Sequence, residues 1–221
     1  MNNYKLHTDY DQILFREEVA RGTRNLNIKG YSQAGDSGDI GIRDPKSGLI
    51  YISGSPDWCY QRNLLDARGW ERFITDLDET IYIPWTEGTI EWKMHTAVLR
   101  SRPDMNASVH THSKWASIFA AAEMSCPLDI IGEGLTGEIP LTTPFAWAGS
   151  PEIEVSVTEA LQKFDCCILS HHGAVVVGKT LDEAFDKVAW MEQACEKAFW
   201  QLVANGGAQV NLEKAFSALR K

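Results

Sequence analysis

His110 and His112 lie two residues apart in the run Ala107-Ser108-Val109-His110-Thr111-His112-Ser113, and His172 sits far along the chain in Ser170-His171-His172-Gly173. In a β-strand, side chains two apart project to the same face. The pair therefore offers two imidazoles to one side of a strand. Any fold that adds His172 to them must bring a remote segment back beside that strand. Three protein ligands around an open position is the arrangement of a catalytic metal site. A His-x-His pair alone is a weak signal, more often chance spacing or a hydrogen-bonded core histidine than a metal site, so its surroundings decide.

Those surroundings have the pattern of a mixed α/β domain. Ala107 to Thr111 reads as a strand, and the apolar runs Cys166 to Ser170 and Ala174 to Val177 read as buried strands flanking His171-His172-Gly173. Asp39 to Arg43 and Gly48 to Ser53 flank the turn Asp44-Pro45-Lys46-Ser47, a hairpin signal. Ile81 to Ile83 and Glu138 to Thr142 read as further short strands. Helices are expected from Thr8 or Asp9 to about Arg24, with Ile13, Leu14 and Val19 as apolar positions, and from Thr89 to Pro103. Others are expected from Lys114 to Met124, from Pro151 through Phe164, from Thr180 to about Ala204, and from about Leu212 to Leu219. The stretch from Pro56 to Thr80 shows no clear period. Helices covering both faces of a central sheet are the expected layout. The histidines then fall at strand ends and turns, where a rigid scaffold presents functional groups.

At 221 residues the chain fits a single domain spanning 1–221. A formal net charge of -9 argues against a nucleic-acid partner, which requires clustered Lys and Arg. No apolar run approaches the ~20 residues of a membrane span, and Met1-Asn2-Asn3-Tyr4-Lys5 lacks the layout of a signal peptide. A cytoplasmic protein with no membrane partner is expected. The cysteines at 59, 126, 166, 167 and 195 include no pair spaced for a zinc site, and Cys166 and Cys167 read as buried, reduced thiols.

Several ordered pieces together narrow the reading: Gly38-Asp39-Ile40-Gly41-Ile42-Arg43, Glu91-Trp92-Lys93-Met94-His95, Arg102-Pro103 followed by Val109-His110-Thr111-His112-Ser113, Pro144-Phe145-Ala146, and His172-Gly173. In these the chain resembles the class II aldolase/adducin family, from about residue 10 to about residue 200. The resemblance implies a three-layer α/β/α sandwich with a central, mainly antiparallel sheet, assembled as a homotetramer. It also implies that His110, His112 and His172 hold a divalent metal, zinc or another such as Mn2+, and that Glu91 is the catalytic acid/base. The implied activity is a lyase of the aldolase type, cleaving a small hydroxy-carbonyl sugar or sugar-phosphate-like substrate through a metal-stabilised enediolate. The alternatives are a metal-dependent decarboxylase or epimerase on a non-phosphorylated substrate, or an adducin-like binding module without turnover.

Gly38, Asp39, Thr89 and His171 are the candidate substrate contacts. By the resemblance, phosphate is held by a Gly-Asn turn and by a Ser-Ser pair just before the glutamate. Here these become Gly38-Asp39 and Thr89-Ile90. An aspartate facing a phosphate dianion repels it, and Ile90 offers no hydroxyl. Arg43, Lys93, Arg100 and Arg102 are the candidate sources of positive charge. The family's tyrosine proton donor has no counterpart, because all six tyrosines lie at or before Tyr82. Asp129 or Glu133 stands in that segment as the candidate acid. His95, one helical turn after Glu91, either orients that glutamate or packs in the core.

Overall fold

The computed structural model describes residues 10–32, 37–54, 73–81, 88–130 and 135–207. The expected hairpin is formed by β1 (Asp39–Arg43) and β2 (Ile50–Ile52), paired antiparallel with Ile42 opposite Tyr51. Asp44 closes its turn by accepting from the amides of Lys46 and Ser47, at 2.9 and 3.2 Å. That is the usual work of a turn aspartate. Beyond β2 lies β3 (Phe73–Thr75), a strand in the stretch whose sequence shows no period.

On the other side of β1 come β4 (Ala107–Thr111), then β9 (Ala174–Gly178), β8 (Cys166–Leu169) and β7 (Leu141–Thr142). All pairs in this seven-stranded sheet are antiparallel except β7 with β8. A separate two-stranded ribbon joins β5 (Cys126–Ile130) to β6 (Leu135–Ile139). The expected strand from Glu138 to Thr142 is thus split between two sheets. Pro140 explains the break, since it has no N–H for a ladder and spends its carbonyl on the amide of Ile168.

Alternation along the strands sorts side chains to two apolar layers. Ile40, Ile42, Val109, Ala174 and Val176 pack with Val19 of α1 (Tyr10–Ile28), with Ala116 and Phe119 of α3 (Lys114–Ala121), and with Phe185 and Val188 of α5 (Leu181–Ala204). Cys167, Leu169, Val175 and Val177 face the opposite way, onto Met94 and Val98 of α2 (Trp92–Ser101) and Ile153 and Val157 of α4 (Pro151–Ala160). The result is the three-layer α/β/α sandwich with a mainly antiparallel centre.

Several helix ends depart from expectation. Helix α1 runs on to Ile28, and Leu14, expected on its apolar side, is exposed. Helix α2 begins only at Trp92, while α3 and α4 stop at Ala121 and Ala160, short of Met124 and Phe164. Thr180 caps α5 as expected, accepting from Glu183 N at 3.1 Å. Ile81 is not in a strand. The proposed cap at Thr8 or Asp9, residues 82–83, Glu133 and the expected helix over 212–219 lie outside the described residues.

Candidate metal centre

The register of three strands builds the site. In β4, His110 lies opposite Asp39 of β1 on one side and Val175 of β9 on the other. Ser108 and His110 share the face that carries Gly41 of β1 and Val175 of β9, under helices α2 and α4. His112 follows the strand, its amide bonded to Tyr31 O at 3.0 Å. Helix α3 starts immediately after it. Ser113, its N-cap, makes no side-chain cap bond. Glu192 of α5 accepts instead from Trp115 N and Ala116 N, at 3.0 and 2.8 Å, which fixes the exit of the histidine strand.

His172 arrives from the tight turn between β8 and β9, where its amide bonds to Leu169 O at 3.0 Å. Gly173 permits the approach. A Cβ there would collide with the Thr111 carbonyl and lie 3.0 Å from His112 Cδ2 and 3.2 Å from His110 Cε1. Ring centroids of the three histidines are 4.7 to 4.9 Å apart, and one nitrogen from each lies within 4.8 Å of the others.

Glu91 completes the cluster from the N-cap of α2, where its side chain makes no cap bond. Its buried Oε2 is 3.0 Å from His110 Nε2 and 3.8 Å from His172 Nε2. Its other oxygen, Oε1, is buried with no hydrogen-bond partner among the described residues.

This donor set calls for a cation. His110 Nδ1 bonds to Ala174 O at 3.0 Å, and because only an N–H can donate to a carbonyl, Nε2 presents a lone pair in the neutral ring. That nitrogen lies 2.9 Å from His112 Nε2 and 3.0 Å from a carboxylate oxygen. Without a positive charge between them these atoms repel. In the metal-free protein a proton fills the role. Burial opposes charge on His110, but the adjacent Glu91 carboxylate outweighs it and lifts the pKa to about 9. Burial, then the charge on His110, pushes His112 down to about 3, and the same causes lower His172. Burial alone would raise Glu91, yet His110 holds its pKa below the ordinary value. The three lone pairs and the free Glu91 oxygen fit a divalent ion.

The remaining predicted residues fall elsewhere. Asp39 does not face outward. It is buried, with Oδ1 2.7 Å from His95 Nε2 and Oδ2 accepting from Thr89 Oγ1 at 2.5 Å. Thr89 is therefore occupied with Asp39. Gly38 has φ +92°, and its bare Cα lets the chain lie against the His110 carbonyl. His171 has φ +53°, and its ring faces Glu123, 3.3 Å away, and Phe145 rather than the three-histidine cluster. Asp129 lies in β5 opposite Thr136.

The candidate cations are also occupied. Arg43 donates to the carbonyls of Leu99, Pro103 and Met105, closing the C-terminal end of α2. Arg100 bonds to Leu77 O and Glu79, and Arg102 to Asp104, Asp165 and the carbonyls of Leu161 and Phe164. Lys93 lies 3.9 Å from Glu79. His95 is fully buried, so it packs, but both its nitrogens are bonded, one to Ser108 Oγ at 2.9 Å. The sequence reading missed the Asp39–His95 pair. The available signal was that Asp39, Gly41 and Ser108 are small or polar residues inside otherwise apolar strands.

The family described as Class II Aldolase and Adducin N-terminal domain matches residues 17–199. A 5-methylthioribulose-1-phosphate/5-deoxyribulose-1-phosphate aldolase of Escherichia coli is 26% identical over 82% of this chain and 79% of its own. A 5-deoxy-D-ribulose 1-phosphate aldolase of Bacillus thuringiensis serovar kurstaki is 25% identical, covering 93% of each chain. Among solved structures, an L-fuculose 1-phosphate aldolase superposes with a TM-score of 0.76 at 20% identity, over 91% of this chain and 90% of that one.

Proposed function

Since the chain belongs to the class II aldolase and adducin family, we propose that it is a divalent-metal-dependent lyase of the aldolase type. Its substrate is a small hydroxy-carbonyl compound of the sugar or sugar-acid kind. His110, His112 and His172 hold the ion, which is zinc or another divalent metal such as Mn2+. When bound, the ion supplies Lewis acidity for the negative charge that develops on a substrate oxygen as a carbon–carbon bond breaks. Glu91 moves the proton. It is a carboxylate at neutral pH, with Oε2 tied toward His110 and Oε1 free to accept. The observation that carries the reading is this buried oxygen, without a hydrogen-bond partner among the described residues, beside three convergent imidazoles. An interaction module has no need of such a group.

A second reading, decarboxylation or epimerisation of an unphosphorylated substrate, uses the same metal and base. The inward Asp39 carboxylate favours it. That group, and the engagement of Arg43, Arg100 and Arg102 elsewhere, leaves little among the described residues to attract a phosphate dianion. The homotetramer stands as an expectation from family resemblance, and a cytoplasmic location as one from the sequence pattern. No described helix is long and apolar enough to cross a membrane.

The test has two parts. Metal analysis and chelator sensitivity of the purified protein separate an enzyme from a binding module. Assays of aldol cleavage and decarboxylation on phosphorylated and unphosphorylated hydroxy-ketones and hydroxy-acids then choose the reaction. Glu91→Gln should keep the metal and lower turnover by roughly 10²–10⁴. Stoichiometric metal with no turnover in any assay, or full activity in Glu91→Gln, removes the proposal.

A further inference from the structure

We propose that Asp39 is a positioning residue, clamping the turn that carries Glu91 by holding both of its ends. The inference deepens the proposed function and rests on Glu91 as the proton-moving group. Glu91 sits between Thr89 and His95 in the first turn leading into α2. Its amide donates to Thr89 Oγ1 at 3.3 Å, and its carbonyl accepts from His95 N at 3.2 Å. Both flanking side chains end on one carboxylate. Thr89 Oγ1 donates to Asp39 Oδ2 at 2.5 Å, and His95 Nε2 meets Asp39 Oδ1 at 2.7 Å.

The clamp is anchored on the sheet. Asp39 is the first residue of β1, held in the ladder opposite His110. His95 Nδ1 reaches Ser108 Oγ at 2.9 Å. Gly41 makes room for the ring, because a Cβ there would lie 2.8 Å from His95 Cβ. Thr89 N is tied in addition to Ser53 O at 3.2 Å. All four network residues, Asp39, Thr89, His95 and Ser108, are buried.

One aspartate thus sets the distance between the strand that presents His110 and the helix turn that presents Glu91. A carboxylate must be held within about half an ångström of its working position to act as an efficient base. Glu91 cannot achieve this through its own helix, because its side chain makes no cap bond there.

The test compares Asp39→Ala, Asp39→Asn and Glu91→Gln with the wild type, all as zinc-loaded protein. The readouts are zinc content, amide hydrogen exchange by residue, and kcat and KM on whichever substrate the wild type cleaves best. Asp39→Ala should keep stoichiometric zinc and an unchanged KM. Its kcat should fall at least tenfold, and exchange at the amides of Glu91, Trp92 and His95 should quicken at least tenfold. The amides of β4 should be unaffected. Asp39→Asn should recover most of both losses, since its oxygen still accepts from Thr89 and its NH2 can donate to the other tautomer of His95.

Unchanged exchange at the Glu91 turn in Asp39→Ala overturns the proposal. So does acceleration spread evenly over β1 and β4 with loss of zinc, which marks a merely structural residue. If Asp39→Ala does not fold, Thr89→Val removes one arm of the clamp at constant shape. Because it also removes the acceptor of the Glu91 amide, the deciding signal is quickened exchange at Trp92 and His95. Its absence there overturns the proposal. Full activity in Glu91→Gln would remove the base assignment instead, while the exchange result stands independently of the reaction.

Discussion

Metal capture by this site should be strongly pH-dependent, with a slope set by His110. In the metal-free protein the His110 pKa is raised to about 9, because the Glu91 carboxylate 3.0 Å away outweighs the burial that opposes charge. A metal can use Nε2 only after that proton leaves. Below pH 9 the apparent affinity should therefore rise close to tenfold per pH unit and level off above it. At pH 7 the two-unit gap corresponds to about 100-fold weaker binding than at the plateau, or about 3 kcal/mol. Binding at pH 7 should release about one proton per ion.

Calorimetric titration of Co2+ or Zn2+ into metal-free protein, in buffers of differing ionisation enthalpy from pH 6.5 to 8.5, measures both quantities. Glu91→Gln supplies the control. Without the carboxylate, His110 loses the largest cause of its upward shift, and the slope above neutral pH should flatten. The sign for stability without metal is opposite to that for binding. A raised histidine pKa stabilises the folded chain fully below its ordinary value near 6.5 and loses that contribution as pH climbs through about 9. Melting of the metal-free protein should accordingly shift downward over that window. Affinity independent of pH between 7 and 8.5, or no proton release, would refute the reasoning.

Other expectations follow from contacts already described. His172→Ala should sharply lower metal retention, measured by chelator competition; normal metal content would mean another third ligand. Gly173→Ala forces a Cβ against Thr111 O and both strand histidines, and overpacking of this kind costs about 1–3 kcal/mol. Most of that should appear as roughly 5- to 150-fold weaker metal binding rather than as lost thermal stability. Thr180→Ala removes the cap of α5 and should lower the unfolding free energy by about 1 kcal/mol in denaturant titration, with metal content intact. Arg43→Met strands the Leu99, Pro103 and Met105 carbonyls and should cost on the order of 2–3 kcal/mol, read the same way.

The histidine triad and most of the central sheet were legible because they depend on period and short-range pattern. Ala107 to Thr111 and the runs about His172 alternate or stay apolar over the lengths that strands require, and the observed strands match. What was not legible depends on pairing partners far away in the chain. Asp39 stood as a candidate substrate contact because nothing local reveals that His95 and Thr89 lie beside it. The cationic candidates Arg43 and Arg102 looked available because helix C-terminal carbonyls become their partners only after α2 and α4 have packed. Strand β3 has three residues, too few for a two-residue period to register. The split of the expected Glu138 to Thr142 strand is a different kind of miss, since the missing N–H of Pro140 is a local signal that the apolar pattern around it masked.

The pairing of β4 with β9 sets His110 opposite Val175, and this one alignment also brings the turn holding His172 to the end of the histidine strand. A slip of one position would send the His110 imidazole of β4 into the oily layer beneath α5 and leave the ligand set incomplete. Ion capture is therefore possible only for molecules whose sheet has zipped in the right alignment. Loading selects correctly assembled chains from misaligned ones and pulls the population toward them by mass action.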